Sequence, residues 1–374
     1  MQQRKKFVIA NRMDTIDASG VRKMFDLAVT MDNPINFSIG QPDFDVPDPI
    51  KEAAKAAISG GMNKYTQTQG MPELREAIWK QASAEFGWTN PGDHPILVTC
   101  GVSGALLLAI KVLVNPGDEV IMPDPHFVMY RHLVNFADGV PVCIDTYPDF
   151  HLDAQKIADA ITPRTKILLL NSPANPTGAV YSRQEMEDIA EVARNHELLV
   201  ISDEVYNIFC YDEPYLSFAH LYDHTLLMRG FSKTYAMTGW RIGWCTGPPN
   251  VIDKMTMLQQ YSFVCAPSVA QAAILTALKT DMTQYVNAYR KKRDMVCEIL
   301  GEKFDLVKPG GAFYAFVPAP KGMDATDFVY KAIEHQVLVI PGNVFSSRDT
   351  HFRISYATTD EKLFLGLRIL CDLV

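Results

Sequence analysis

Short, uninterrupted apolar runs alternate with stretches of helical period along most of the chain. Residues 96–99, 119–122, 166–170, 198–202, 225–230 and 243–247 read as strands, with apolar side chains at successive positions. Residues 49–59, 72–86, 105–114 and 183–196 carry helical periodicity between or before them. Strands that are apolar throughout need cover on both faces, so a mostly parallel sheet flanked by helices is expected. A basic helical stretch over 281–304 leads into further strand-like pieces at 312–317, 337–340 and 352–356. Residues 1–36 read as an arm and short helix, closing on the strand-like 36–39. The following segment, 40–49, contains Pro42, Pro47 and Pro49 and cannot be helical. The expectation is an α/β protein with a large domain over 46–285. A smaller α/β domain would be built from both chain ends, 1–45 and 286–374.

Bulk properties narrow the partners. At 374 residues, 48% hydrophobic and 21% charged, the chain has the make-up of a globular protein of roughly two domains. A net charge of −8 argues against nucleic acid or an anionic membrane as a general partner. No apolar run approaches membrane-spanning length, and the one after Arg4-Lys5-Lys6 is too short for a signal peptide. Seven scattered cysteines without a Cys-x-x-Cys pair indicate reduced thiols in a cytoplasmic protein, with no metal site.

Candidate chemistry collects where apolar runs end. Lys233 lies among small and apolar residues in the segment from Gly230 to Gly243, eight positions before Arg241. A lysine amine becomes a nucleophile near neutral pH when burial or a neighbouring cation lowers its pKa, and its best-known use is then a Schiff base. Asp203 closes the run 198–202, where a buried carboxylate needs a cation or serves as a helix cap. Arg353 sits between apolar neighbours and requires a planar anion, either a ligand carboxylate or a structural partner. The turn from Gly101 to Ala105 can point backbone N–H groups at a phosphate. Asn171 to Gly178 forms a proline-fixed turn directly after a strand, the edge where parallel α/β sheets bind ligands.

Together these blocks resemble the class I and II aminotransferases, fold type I enzymes that use pyridoxal 5′-phosphate. The resemblance runs in order from Gly40 to Arg353 and covers nearly the whole chain. It implies that Lys233 forms the Schiff base with the cofactor and that Asp203 meets the ring nitrogen. Tyr206 and Asn175 would reach the phenolic oxygen, and Phe127 would stack on the ring. Val102, Ser103, Gly104, Ser232 and Arg241 would hold the phosphate, joined by Tyr65 from the second subunit of a homodimer. Arg353, with Gly40 and Asn175, would bind the substrate, an L-amino acid or 2-oxo acid. Gly230 stands where some members carry a phosphate-binding serine, and Ser103 where some dicarboxylate-specific members carry lysine. Glu204 is expected to be structural, and His126 is not expected to be a general base, because the family uses the lysine for that work. Other pyridoxal-phosphate reactions, such as C–S lysis, share this fold and site. So do effector-sensing domains of DNA-binding regulators, but no basic helix-turn-helix module precedes residue 40.

Overall fold

The computed structural model of this protein describes residues 9–16, 20, 27, 29 and 31–374. Part of the expected arm and short helix over 1–36 lies outside the described residues. Twelve strands form three sheets among the described residues. They are β1 (Ile35–Asn36), β2 (Leu97–Thr99), β3 (Glu119–Asp124), β4 (Val140–Asp145), β5 (Thr165–Asn171) and β6 (Leu199–Asp203). Then follow β7 (Thr225–Gly230), β8 (Gly243–Thr246), β9 (Tyr314–Pro318), β10 (Val337–Leu338), β11 (Ile340–Pro341) and β12 (His351–Ser355).

The largest sheet has seven strands in the order β2-β8-β7-β6-β5-β3-β4. All its neighbours pair parallel except β8, which runs antiparallel to both β2 and β7. The central strands are buried on both faces, as at Leu168, Leu169, Val200 and Ile201, which explains their unbroken apolar runs. β4 was not expected, because as an edge strand it exposes Val140 and Cys143 and lacks a continuous apolar signal.

Helix boundaries follow local chemistry. The helix Arg183–Asn195 opens with a capping box in which Ser182 Oγ accepts the Glu185 N–H and Glu185 takes the Ser182 N–H. Pro72 starts the helix Pro72–Phe86, and Gly87 ends it in the left-handed region at φ 73°. The expected helix over 105–114 begins earlier, at Gly101, because Gly101 accepts a φ of +71° directly after β2. The expected strand over 337–340 divides in two. β10 pairs parallel with β1, while β11 pairs with β12 in a three-stranded antiparallel sheet completed by β9.

Both chain ends share one core, in which Ile35 and Phe37 pack with Val296, Phe328 and Leu363. The helix Thr283–Leu300 exposes Arg290 and Lys291 but buries its other two basic residues. Lys292 pairs with Asp43, and Arg293 forms a two-pronged pair with Asp212. Those pairs tie the segment after Gly40 and the loop after β6 to the carboxy-terminal part.

A second ion-pair system fixes the turn that follows β6. Glu204 is fully buried and takes hydrogen bonds from Ser202 Oγ, Ser217 Oγ and Arg229 Nε, the last at 3.0 Å. Arg229 also grips Glu85 at 2.6 and 2.7 Å. Glu204 is thus structural, as expected. Replacing it with alanine leaves Arg229 buried with one acid in place of two. Glu204→Ala should therefore cost about 3 kcal/mol, read as a lower denaturation midpoint in urea. An unchanged midpoint would show that the pair is not needed.

Candidate active site

Because β8 is antiparallel to both neighbours, its first residue pairs with the last residues of β2 and β7. Gly243 stands opposite Thr99 and Gly230. The turns after β2, β3, β5, β6 and β7, and the residues before β8, therefore meet along one edge of the sheet. Here lies a cavity of about 480 Å³. Gly40, Val102, Ser103, Phe127, Asn175, Asp203, Tyr206, Ser232, Lys233, Arg241 and Arg353 all line it. These residues come from seven separate stretches of the chain.

Lys233 follows β7 and directs its Nζ to the Gly40 carbonyl at 2.5 Å. Burial, reinforced by the charges of Arg353 and Arg241, pulls its pKa down to about 8. A Cβ on Gly40 would stand 2.3 Å from the Tyr314 hydroxyl, so any side chain there would have to displace that ring. Asp203 is 3% exposed. Its Oδ2 accepts the Tyr130 hydroxyl at 2.7 Å, and its Oδ1 accepts the Val205 N–H at 3.2 Å. Burial pushes this carboxyl up to about 6. Asp203 caps no helix; Val205 is in a turn.

Asn171 joins two of the turns. Its Nδ2 donates to the Asp203 carbonyl at 2.9 Å, and its Oδ1 accepts the Asn175 N–H at 2.9 Å. Asn175 in turn accepts Arg353 Nη1 at 3.0 Å, while Arg353 Nη2 donates to the Ser38 carbonyl at 2.6 Å. Arg353 is 2% exposed, its Nε has no hydrogen-bond partner, and the Tyr314 and Phe345 rings flank it at 4.6 and 4.7 Å. No carboxylate pairs with it among the described residues. A buried guanidinium held between rings and carbonyls, without an acid, is prepared for an incoming planar anion.

The anion-side turn is equally specific. A Cβ on Gly101 would lie 2.9 Å from Arg241 Nη2, so the glycine lets Arg241 close over the start of the helix Gly101–Leu113. A Cβ on Gly230 would meet Val102 Cγ2 at 3.0 Å and Val205 Cγ2 at 3.2 Å, so a side chain there would require these two valines to give slightly. Ser232 is buried and lines the cavity beside Lys233.

Two expected residues lie outside the cavity lining. Gly104 is buried one position beyond Ser103, and Tyr65 is 84% exposed on this chain. His126 is buried with Nδ1 against the Phe345 carbonyl at 2.9 Å, and its pKa is lowered to about 4 by burial. It therefore stays neutral in a structural position. Tyr130, Asn171 and Tyr314 line the cavity but carried no site expectation. From the sequence, Asn171 falls in a turn, and Tyr130 and Tyr314 have no assigned role.

Comparison with known proteins decides the family. A profile described as "Aminotransferase class I and II" matches residues 32–368. This chain belongs to that family. It is 39% identical to a probable aspartate aminotransferase of Methanocaldococcus jannaschii, covering 98% of this chain and 100% of the relative. It is 37% identical to aromatic-amino-acid aminotransferase 2 of Thermococcus litoralis, over 95% of each chain. The solved aspartate aminotransferase of Thermus thermophilus with maleate superposes with a TM-score of 0.93 at 35% identity, covering 99% of this chain and 100% of that one. The protein is an aminotransferase, and its family works with pyridoxal phosphate.

The lowered pKa of Lys233 has a direct consequence. Burial and two cations disfavour the ammonium form, so the neutral amine appears from about pH 8 upward, not from the ordinary 10.5. Trapping a small aldehyde on Lys233 with borohydride, followed by peptide mass spectrometry, should give half-maximal labelling near pH 8. A midpoint near 10 would show that the amine is solvated.

Proposed function

We propose that Lys233 carries amino-group transfer from an L-amino acid to a 2-oxo acid, with pyridoxal 5′-phosphate bound in the cavity along the sheet edge. The supporting observation is the combination within one cavity of a lysine with a lowered pKa, a buried carboxylate and an arginine without an acid partner. The residues fit the cofactor, since Asp203 is a buried carboxylate suited to a protonated ring nitrogen and Gly101 leaves room where a side chain would displace Arg241. When bound, the cofactor supplies an electron sink for breaking a bond at the substrate's Cα.

The chain's own residues divide the remaining work. Asp203 holds the proton on the ring nitrogen. Tyr206 and Asn175 would serve the phenolic oxygen, and Phe127 would stack on the ring. Val102, Ser103, Gly104, Ser232 and Arg241 hold the phosphate. Arg353, with Asn175 and Gly40, takes the substrate carboxylate through its planar fork. Lys233 would act as the general acid and base that takes the proton from the substrate's Cα. The same reading includes a cytoplasmic location and a division near residues 46 and 285 into a large and a small domain. Among the described residues no helix is long and apolar enough to cross a membrane.

Lys233→Ala tests the assignment. It should remove both the long-wavelength absorbance of bound cofactor and transamination, with the circular dichroism of the fold unchanged. Turnover within about tenfold of the parent would reassign the role.

We further infer that the active form is a homodimer in which Tyr65 completes the partner's phosphate site. Tyr65 and Tyr261 are 84% and 86% exposed, with Met257 and Val264 also exposed. The Tyr65 loop is fixed to that segment by Gln259 Nε2 on the Thr68 carbonyl at 2.6 Å and by Ser268 Oγ on the Met62 carbonyl at 2.9 Å. Phe263 lies 3.8 Å from where a Cβ on Gly104 would stand, so this apolar face adjoins the anion-side turn. In dimers pairing a Tyr65→Ala chain with a Lys233→Ala chain, one site would carry both lesions and the other none. Such mixed dimers should regain about half the parental activity. No regain would confine Tyr65 to its own chain.

A further inference from the structure

We propose that Tyr130 is a positioning residue whose hydroxyl fixes the Asp203 carboxylate in the orientation from which it meets the cofactor's ring nitrogen. The inference rests on the function proposed above. It starts from geometry. Tyr130 lies in the first turn of the helix Met129–Phe136, three residues after Phe127, and is 1% exposed. Its hydroxyl donates to Asp203 Oδ2 at 2.7 Å, a length typical of a phenol on an ionised carboxylate. The Val205 N–H takes the other oxygen. Two donors on two different oxygens remove rotation of the carboxylate plane, and the remaining lone pairs are left for a third partner. Both Tyr130 and Asp203 line the cavity.

The aromatic ring has a second contact. It meets the Phe127 ring edge-on, with centroids 5.6 Å apart at 81°. One side chain thus touches both the ring expected to lie against the cofactor and the carboxylate expected to meet its nitrogen. A phenylalanine at 130 would keep the first contact and lose the second.

The hydroxyl also acts on charge. Burial and the neighbouring Glu204 favour the neutral carboxyl of Asp203, while the Tyr130 hydroxyl, the Val205 N–H and the Lys233 ammonium favour the carboxylate. Tyr206 is the other titratable group facing it, and burial keeps its phenol protonated. Tyr130 itself stays protonated, because burial and the Asp203 charge both oppose a phenolate, so it remains a donor. Removing it takes away the only side-chain hydrogen bond to the carboxylate among the described residues.

The test uses the holoenzyme with pyridoxal 5′-phosphate and three variants, Tyr130→Phe, Asp203→Asn and the double replacement. Cofactor retention is followed by absorbance after dialysis across a pH series, and kcat and KM are measured alongside. In Tyr130→Phe the pH at which half the cofactor is lost should rise by roughly one unit, the scale set by one charge-assisted hydrogen bond. The kcat should fall roughly tenfold, while the amino-acid KM moves little. In the Asp203→Asn background, Tyr130→Phe should change neither quantity, because no carboxylate remains to be positioned. An unshifted retention profile overturns the proposal. So do losses that are the same in both backgrounds, or a Tyr130→Phe chain that fails to fold, either of which would make the phenol a packing element. A parent enzyme that shows no lysine-bound cofactor absorbance would instead refute the underlying function, whatever Tyr130 does.

Discussion

Removing three charged side chains from water in one cavity is the constraint that the rest of the structure serves. Lys233, Asp203 and Arg353 are each shifted toward their neutral forms by burial. Such burial costs free energy unless every charge finds partners. The fold supplies them sparingly: two donors on Asp203, one carbonyl on Lys233, and a carbonyl with an amide oxygen on Arg353. The partners suffice to fix each group but do not neutralise it. A site under-satisfied in this way binds ligands that complete it.

The contrast with Arg229 makes the point within the same protein. Arg229 is also buried, yet it meets Glu204 and Glu85 together, and Glu204 is further held by two serines. That network is closed and anchors the turn after β6. Arg353 sits in comparable burial with aromatic faces on both sides and an unpartnered Nε. The difference between the two arginines is that Arg229 is paired with acids and Arg353 is paired with none among the described residues.

Contacts between distant segments hold the site together. The segment 38–40 supplies the Ser38 carbonyl to Arg353 and the Gly40 carbonyl to Lys233, so it bridges the carboxy-terminal sheet and the large sheet. It is held in turn by the Ser355 N–H on the Phe37 carbonyl at 2.7 Å, and just beyond it Asp43 accepts the Tyr289 hydroxyl at 2.6 Å. Movement of either chain end against the large sheet would therefore change the environment of both cations at once.

Much of this was legible in the order of residues alone. Parallel strands buried on both faces leave unbroken apolar runs, and residues placed directly after such runs must lie on one sheet edge. That is why Asp203 and the turn from Asn171 to Gly178 stood out at strand ends, and why an arginine between apolar residues pointed to an anion. The grouping of Asn175, Asp203 and Lys233 in one site came from the resemblance to the aminotransferase family. Gly101 and Gly40 were visible as glycines, but the reason for them, Arg241 in one case and Tyr314 in the other, exists only in three dimensions. The edge strand β4, the division of 337–341 between two sheets and the reversal of β8 depend on pairing partners distant in sequence. Tyr130 and Tyr314 carried no signal because a sequence shows the ring and not what its hydroxyl reaches. Local patterning therefore determined which residues end strands and carry chemistry. Tertiary structure alone decided which of them share a cavity, since hydrogen bonds such as that from Tyr130 to Asp203 join residues 73 positions apart.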